Sequence, residues 1–393
     1  MSAARPILLV ANALPPLVGG TPMVYDRLAR ACAPRLHVLT AWRDPDEGKP
    51  IAGWRESDAA KSYPIHRIAW LRPPRIEAFR RRIGLLDLLL VDLPVMAYVL
   101  LRVLFLATRI RARAIVIGEL QGLGWLAILL GLFSPWRIVM YTHGEEVVQR
   151  TYNRLARLRG PALRAADHVI TVSSFTRDRL VADFQVPVER ISLVTPGVDL
   201  TRFQAGTHAP AAGSFVLAVG RLIERKGFDR LIEGFGLVAA DFPDVELVIV
   251  GKGPEEDRLR SMAASSPAAA RISLRGGIDD RTLDALYGDC LLFAMPNRTL
   301  PDGDTEGFGL IFLEANACGK AVIGGHAGGA TDAVVDGVTG LLVDGDDPAS
   351  IAAALRRLLA NPDERIAMER AGLARARTLG WDTTARSFLE AVE

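Results

Sequence analysis

Short apolar runs alternate with longer stretches of helical spacing through almost the whole chain. Ile7–Ala11 is continuously apolar and leads into a Pro15-Pro16…Gly19-Gly20 loop and a helical segment to about Cys32. Leu36–Ala41, Ile65–Trp70, Ala114–Ile117, Arg137–Tyr141 and His168–Val172 are further apolar runs, most of them followed by helix-like segments. Runs this short read as strands, and their alternation with helices predicts a doubly wound parallel sheet.

The rhythm breaks over Asp199–Gly213, a polar stretch containing Gly206, His208, Pro210 and Gly213, which reads as a linker. It then restarts. Strands are expected at Ser214–Val219, Val245–Val250, Ile272–Leu274, Leu291–Met295, Ala321–Ile323 and Leu341–Val343, with helices at Lys226–Ala240 and Glu255–Ala263 and others between the later strands. The expected architecture is α/β: two Rossmann-like, doubly wound parallel-sheet domains, 1–200 and 201–393, facing a cleft. In such sheets ligands lie beyond the carboxyl ends of the strands, so chemistry is sought there.

One stretch departs from the rhythm. Residues 83–108 are strongly apolar, but Asp87, Asp92, Pro94 and Arg102 interrupt them. Each charge would cost about 2.5–3.5 kcal/mol at a bilayer centre, which argues against a membrane span. Two readings remain: a core helix, or a helix lying on a membrane surface. Arg72, Arg75, Arg80, Arg81 and Arg82 just before it supply the basic flank of a surface-bound helix, or the solvated start of a buried one.

Composition narrows the function classes. With 393 residues, half of them hydrophobic, the chain can bury two cores, and a net charge of +2 gives no overall field for nucleic acid. Cys32, Cys290 and Cys318 are few and scattered, forming neither a zinc pattern nor a disulfide framework, which fits a reducing cytosol. The first apolar run is too short for a signal peptide.

Candidate chemistry concentrates in the second half. Arg221 ends the turn after strand Ser214–Val219, and Lys226 stands where the next helix begins. Two cations at a helix start make a phosphate site, since the helix dipole and its free N–H groups also favour an anion. In Asp304-Thr-Glu-Gly-Phe-Gly-Leu-Ile-Phe-Leu-Glu, Glu306 and Glu314 lie eight positions apart, which on a helix is about 12 Å. Gly307 and Gly309 would let a ligand approach the backbone, and the N–H groups near Phe308, Gly309 and Leu310 would meet an anion. A nucleotide sugar, with hydroxyls at both ends and a diphosphate between, suits this layout. Asp302-Gly303-Asp304 is a D-x-D, but its place beside this segment does not suggest a metal anchor, and no metal site is expected.

The C-terminal half resembles glycosyltransferase family 4 in Val219-Gly-Arg-Leu-Ile-Glu-Arg-Lys-Gly-Phe-Asp, Leu247-Val-Ile-Val-Gly-Lys-Gly-Pro, the Glu-x7-Glu segment and Val338-Thr-Gly-Leu-Leu-Val. Weaker landmarks in the N-terminal half are Pro15-Pro16…Gly19-Gly20, His143-Gly-Glu and Val172-Ser-Ser. The resemblance implies the two-domain GT-B fold and a retaining hexosyltransferase, with a C-terminal helix, about 381–393, packing back on the first domain. It implies that Arg221 and Lys226 neutralise the donor diphosphate, that Glu306 contacts the sugar and Glu314 the ribose, that Gly19 and Gly20 form a mobile loop, and that His143 holds the sugar from the opposite domain. The run Phe293-Ala-Met-Pro-Asn-Arg-Thr with Asp304-Thr-Glu-Gly is similar to phosphatidylinositol mannosyltransferases, which use GDP-mannose.

The expectation is therefore a cytoplasmic glycosyltransferase, at the inner membrane surface if residues 83–108 form a surface helix rather than a core one, with a nucleotide-sugar substrate, GDP-mannose first, no cofactor, and a glycan or lipid-linked acceptor of cell-envelope or exopolysaccharide synthesis. The alternatives are a UDP-sugar-dependent enzyme of the same fold and a non-catalytic sugar-nucleotide-binding membrane scaffold. A phosphorylase would need a pyridoxal lysine, and a dinucleotide oxidoreductase a G-x-G-x-x-G after the first strand; neither is evident.

Overall fold

A computed structural model describes residues 5–44, 48–73, 88–148, 154–203 and 214–393. Two parallel sheets form. The first has seven strands in the order β3-β2-β1-β4-β5-β6-β7, with β1 Ile7–Val10, β2 Leu36–Ala41, β3 Ile65–Ile68, β4 Ala114–Ile117, β5 Arg137–Thr142, β6 His168–Thr171 and β7 Ile191–Leu193. The second has six in the order β10-β9-β8-β11-β12-β13, with β8 Ser214–Val219, β9 Val245–Val250, β10 Ile272–Arg275, β11 Leu292–Met295, β12 Val322–Gly325 and β13 Gly340–Val343. Every pairing within the two sheets is parallel.

The continuous apolar runs are explained by burial on both faces. All four residues of β1 are fully buried; Ile7 and Leu9 join one core, Leu8 and Val10 the other. Strand side chains alternate faces, so a strand covered on both sides must be apolar at every position. Strand order reverses between β1 and β4 in the first sheet and between β8 and β11 in the second. Loops diverge at such points and leave a crevice.

The two halves touch. The carboxylate of Asp332, in the short helix Ala330–Ala333, accepts hydrogen bonds from both the backbone N–H and the hydroxyl of Ser174, at the start of helix Ser174–Phe184. The last helix, Trp381–Val392, lies on the first half: Phe388 stacks on Tyr141, Thr384 donates to the carbonyl of Thr195 at 2.9 Å, and Glu393 pairs with Arg35 at 2.7 Å.

Several elements differ from expectation. β7 was not foreseen, because Ile-Ser-Leu is too short to stand out. The helix expected over 226–240 is shortened to Phe228–Val238, since Gly227, at φ 72°, separates it from a 3-10 turn Glu224–Lys226. The linker expected over 199–213 lies, from 204 onward, outside the described residues.

The apolar stretch has one face in the core and the other exposed. After a π turn Leu88–Asp92, helix Leu93–Arg109 buries Val99, Val103, Leu106 and Ala107 in the first half's core. Its other face leaves Leu101 65% and Phe105 55% exposed, in line with Leu90 at 68%. Residues Leu88–Arg109 are long and apolar enough to cross a membrane by length and composition. Arg75, Arg80, Arg81 and Arg82 lie outside the described residues; Arg72 is mostly buried, its Nη1 3.7 Å from Glu119, and so does not belong to a basic outer surface.

Candidate functional site

The second sheet's switch point gathers the expected charges. β8 ends at Val219, and Gly220-Arg221 turns away from it; β11 ends at Met295 and leads through a long loop to Glu306. Arg221 is exposed, whereas Lys226 and Glu306 are buried, and Lys226 Nζ lies 2.5 Å from Glu306 Oε2. Arg225 also reaches this carboxylate, with Nη1 3.0 Å from the same oxygen and Nε 3.3 Å from Asp304 Oδ1. Burial alone would raise the Glu306 carboxyl, but Lys226 and Arg225 outweigh it and hold it down to about 2. Lys226 is itself lowered, because burial outweighs the pull of Glu306.

Three expectations are revised here. Glu306 does not share a helix with Glu314: the helix is Leu310–Ala317, capped by Gly309 at φ 93°, so the two-turn spacing does not apply. Lys226 and Glu306, expected at the phosphate and sugar ends of the donor, are in direct contact. Gly307, expected at the ligand, lets the two halves approach closely, since a Cβ there would lie 2.0 Å from the carbonyl oxygen of His143. The start of helix Leu310–Ala317 does stand beside this cluster, a Cβ at Gly309 lying 3.7 Å from Glu306 Cγ, and Phe308 is buried against the core.

Arg225 was missed, although Glu224-Arg-Lys-Gly carried it in plain view. Arg298 was missed too: its buried guanidinium meets both carboxylate oxygens of Asp229, at 2.8 and 3.1 Å, and anchors the loop that carries Glu306. Asp302 and Asp304 are engaged locally, Asp302 accepting from the Asp304 N–H at 3.0 Å and Asp304 facing Arg225. Among the described residues no three His, Cys, Asp or Glu side chains converge as metal ligands.

Glu314 stands on the helix with Tyr287 donating to it at 3.1 Å, and burial raises its carboxyl. Gly19 caps helix Gly20–Ala31 and, like Gly20, is exposed at the mouth of the first sheet's crevice.

From the first half, His143 follows β5 and meets the second half through its own backbone against Gly307. Its ring stacks on Tyr141, with centroids 4.8 Å apart, and burial pushes the imidazole down to about 3, so it is neutral. The backbone N–H of His143 donates to Glu146 Oε1 at 2.6 Å; burial pushes that carboxyl up to about 7. The structure thus brings together Arg221, Lys226, Glu306 and the helix start at Leu310 on one wall, with His143 on the other.

Two family models divide the chain: Glycosyltransferase Family 4 over residues 18–202 and Glycosyl transferases group 1 over residues 202–375. The GDP-mannose-dependent alpha-(1-6)-phosphatidylinositol monomannoside mannosyltransferase of Mycobacterium tuberculosis is 31% identical over 383 residues, covering 93% of this chain and 92% of that protein. The protein of the same name from Mycolicibacterium smegmatis is 38% identical over 252 residues, 60% of this chain and 64% of that one. Among solved structures, Anabaena HepE with UDP and glucose superposes with a TM-score of 0.74 at 18% identity, over 99% of both chains. Sucrose-phosphate synthase from Thermosynechococcus elongatus gives 0.73 at 22% identity, over 98% of both. The fold is therefore GT-B, and the chain belongs to glycosyltransferase family 4.

Proposed function

We propose that the protein transfers mannose from GDP-mannose to a lipid-linked glycan acceptor, with retention of configuration and without a metal ion. The observation that carries this reading is the cation cluster at the second sheet's switch point, set against His143 of the other half. The full-length relative that uses GDP-mannose supports the choice of donor.

Glycosyl transfer passes through an oxocarbenium-like state while negative charge grows on the leaving diphosphate. Arg221 is exposed at the turn and free to meet that diphosphate; Lys226 and the N–H groups at Leu310 lie behind it, a fixed positive field in a partly buried site. Glu306 and His143 border the sugar. Glu306 is too weak a base to take a proton, being held at about 2 by its cations, and His143 at about 3 is no better. Glu146 is engaged with the His143 backbone. The acceptor oxygen then bonds to the anomeric carbon on the face the diphosphate leaves, the carbon–oxygen bond to phosphate breaks, and the acceptor's proton passes to the leaving phosphate oxygen.

The acceptor's lipid is supported by the outer face of helix Leu93–Arg109, where Tyr98, Leu101 and Phe105 are exposed, and by Leu132 and Phe133 at the end of helix Leu120–Phe133. A helix with an exposed apolar face of this kind lies in the plane of a membrane, its inner face held by the domain core. The enzyme would then work at the inner face of the membrane, where nucleotide sugars are made. The test is transfer of labelled mannose from GDP-mannose into vesicles containing phosphatidylinositol monomannoside, with EDTA present and the product anomer read by NMR. An α-linked mannolipid is expected. Transfer from UDP-sugars instead would replace the donor, and no turnover of any nucleotide sugar would leave the scaffold reading.

A further inference from the structure

The hydroxyl of Tyr25 joins two strand ends of the first sheet. Tyr25 stands on helix Gly20–Ala31, after β1; Gly118 follows β4, and His143 follows β5. The phenol is fully buried, hydrogen-bonded to the carbonyl oxygen of Gly118, and 2.7 Å from His143 Nε2. The fit is close at Gly118, where a Cβ would come 2.5 Å from the phenol oxygen.

Counting protons settles the roles. A carbonyl oxygen can only accept, so the single phenol proton goes to Gly118. The phenol oxygen then offers His143 only a lone pair, so Nε2 must be the donor. Burial keeps both rings in the states the count requires: the phenol is raised well above its ordinary value and the imidazole is lowered to about 3. A neutral imidazole carries one proton, so with Nε2 protonated Nδ1 is bare. Nδ1 makes no hydrogen bond among the described residues. The ring is also fixed in place, edge-on to Tyr25 at 4.9 Å and stacked on Tyr141 at 4.8 Å.

We propose that Tyr25 is a positioning residue that fixes His143 as the Nε2–H tautomer, so that Nδ1 accepts a hydrogen bond from a hydroxyl of the transferred sugar. The proposal rests on the placement of His143 beside the sugar in the function proposed above. Tyr25 itself touches no substrate; it acts only by deciding which nitrogen of His143 is an acceptor. A protonated Nδ1 would turn a donor toward that hydroxyl, which could still accept, but the geometry of recognition would change.

Nitrogen-15 NMR of the full chain, labelled at histidine, reads the tautomer directly. The His143 signals are assigned by their loss in His143→Gln. The expected parent spectrum has a pyrrole-type Nε2 and a pyridine-type Nδ1. Tyr25→Phe keeps the aromatic packing and removes only the hydroxyl. It is expected to shift His143 toward a mixture of tautomers and to lower donor kcat/KM about tenfold, the equivalent of roughly one hydrogen bond. Tyr141→Phe is the control, because the Tyr141 hydroxyl is buried without a hydrogen-bond partner among the described residues; it is expected to keep the parent signature. A pyridine-type Nε2 in the parent, or a Tyr25→Phe protein with unchanged spectrum and turnover, overturns the proposal, and the parent spectrum decides even where the variant does not fold. Parent-like turnover in His143→Gln, with the Nε2–H signature intact, overturns instead the sugar contact on which the proposal rests.

Discussion

Glu306→Gln removes one negative charge from a buried cluster of two cations and leaves the shape nearly unchanged. The gap between the ordinary glutamate value of 4.5 and the value of about 2 in the fold corresponds to about 3 kcal/mol. Because the folded value is depressed, this stabilisation is fully present above 4.5 and is lost as pH falls toward 2. The lowered Lys226 points the other way: its ammonium gains less from the pair than burial removes. The carboxylate is the better guide to this substitution, since it is the group being removed and it has two cations on it; the figure is the cost of leaving Lys226 without its partner and Arg225 with Asp304 alone, rather than the net worth of the pair. Urea unfolding followed by circular dichroism is expected to show a deficit of about 3 kcal/mol near neutral pH, falling to under about half of that near pH 3 as the parent protonates. A Glu306→Gln protein within about 0.5 kcal/mol of the parent near neutral pH, or a deficit that does not shrink in acid, would refute the reasoning.

Other consequences are open to measurement. Arg221→Ala is expected to cut kcat about a hundredfold with no change in Tm, because the side chain is exposed and has no ion pair among the described residues. Lys226→Ala is expected to lower both, since it leaves Glu306 buried with one cation fewer; equal Tm values for the two would contradict this. Gly307→Ala is expected to hold the halves apart, as the new Cβ meets the His143 carbonyl oxygen, and to lower turnover more than stability; small-angle scattering that finds no opening would speak against it. Leu101→Glu with Phe105→Glu is expected to abolish binding to anionic vesicles and spare turnover of a water-soluble acceptor analogue; retained vesicle binding would remove helix Leu93–Arg109 as the anchor.

How much of this was legible follows from distance along the chain. The strands other than β7 were legible because strands covered on both faces are largely apolar along their length; the two switch points depend on the order of strands in each sheet, which the sequence does not show. Arg221 and Lys226 were legible because they flank one strand-to-helix turn, and Glu306 because it precedes a glycine-flanked helix start. What joins them was not. Lys226 and Glu306 are 80 positions apart, and their contact depends on β8 and β11 being neighbours in the sheet. Tyr25 and His143 are 118 apart, and Ser174 and Asp332 158 apart across the two halves. Spacing along a helix or strand carries no trace of such pairs. Gly307 and Gly309 were read alike from composition, yet one admits the other half's backbone and the other takes a left-handed cap. The outer face of helix Leu93–Arg109 could not be told from its inner face, because both are apolar.

The most direct measurement is calorimetric titration of the parent and of Arg221→Ala with GDP, UDP and ADP and their common sugars, each with and without EDTA. GDP and GDP-mannose are expected to bind selectively, with affinity indifferent to EDTA and lost in Arg221→Ala. Binding that requires a divalent ion, that is equally strong in Arg221→Ala, or that is absent for every nucleotide would contradict a metal-free cation clamp for GDP-mannose at this switch point.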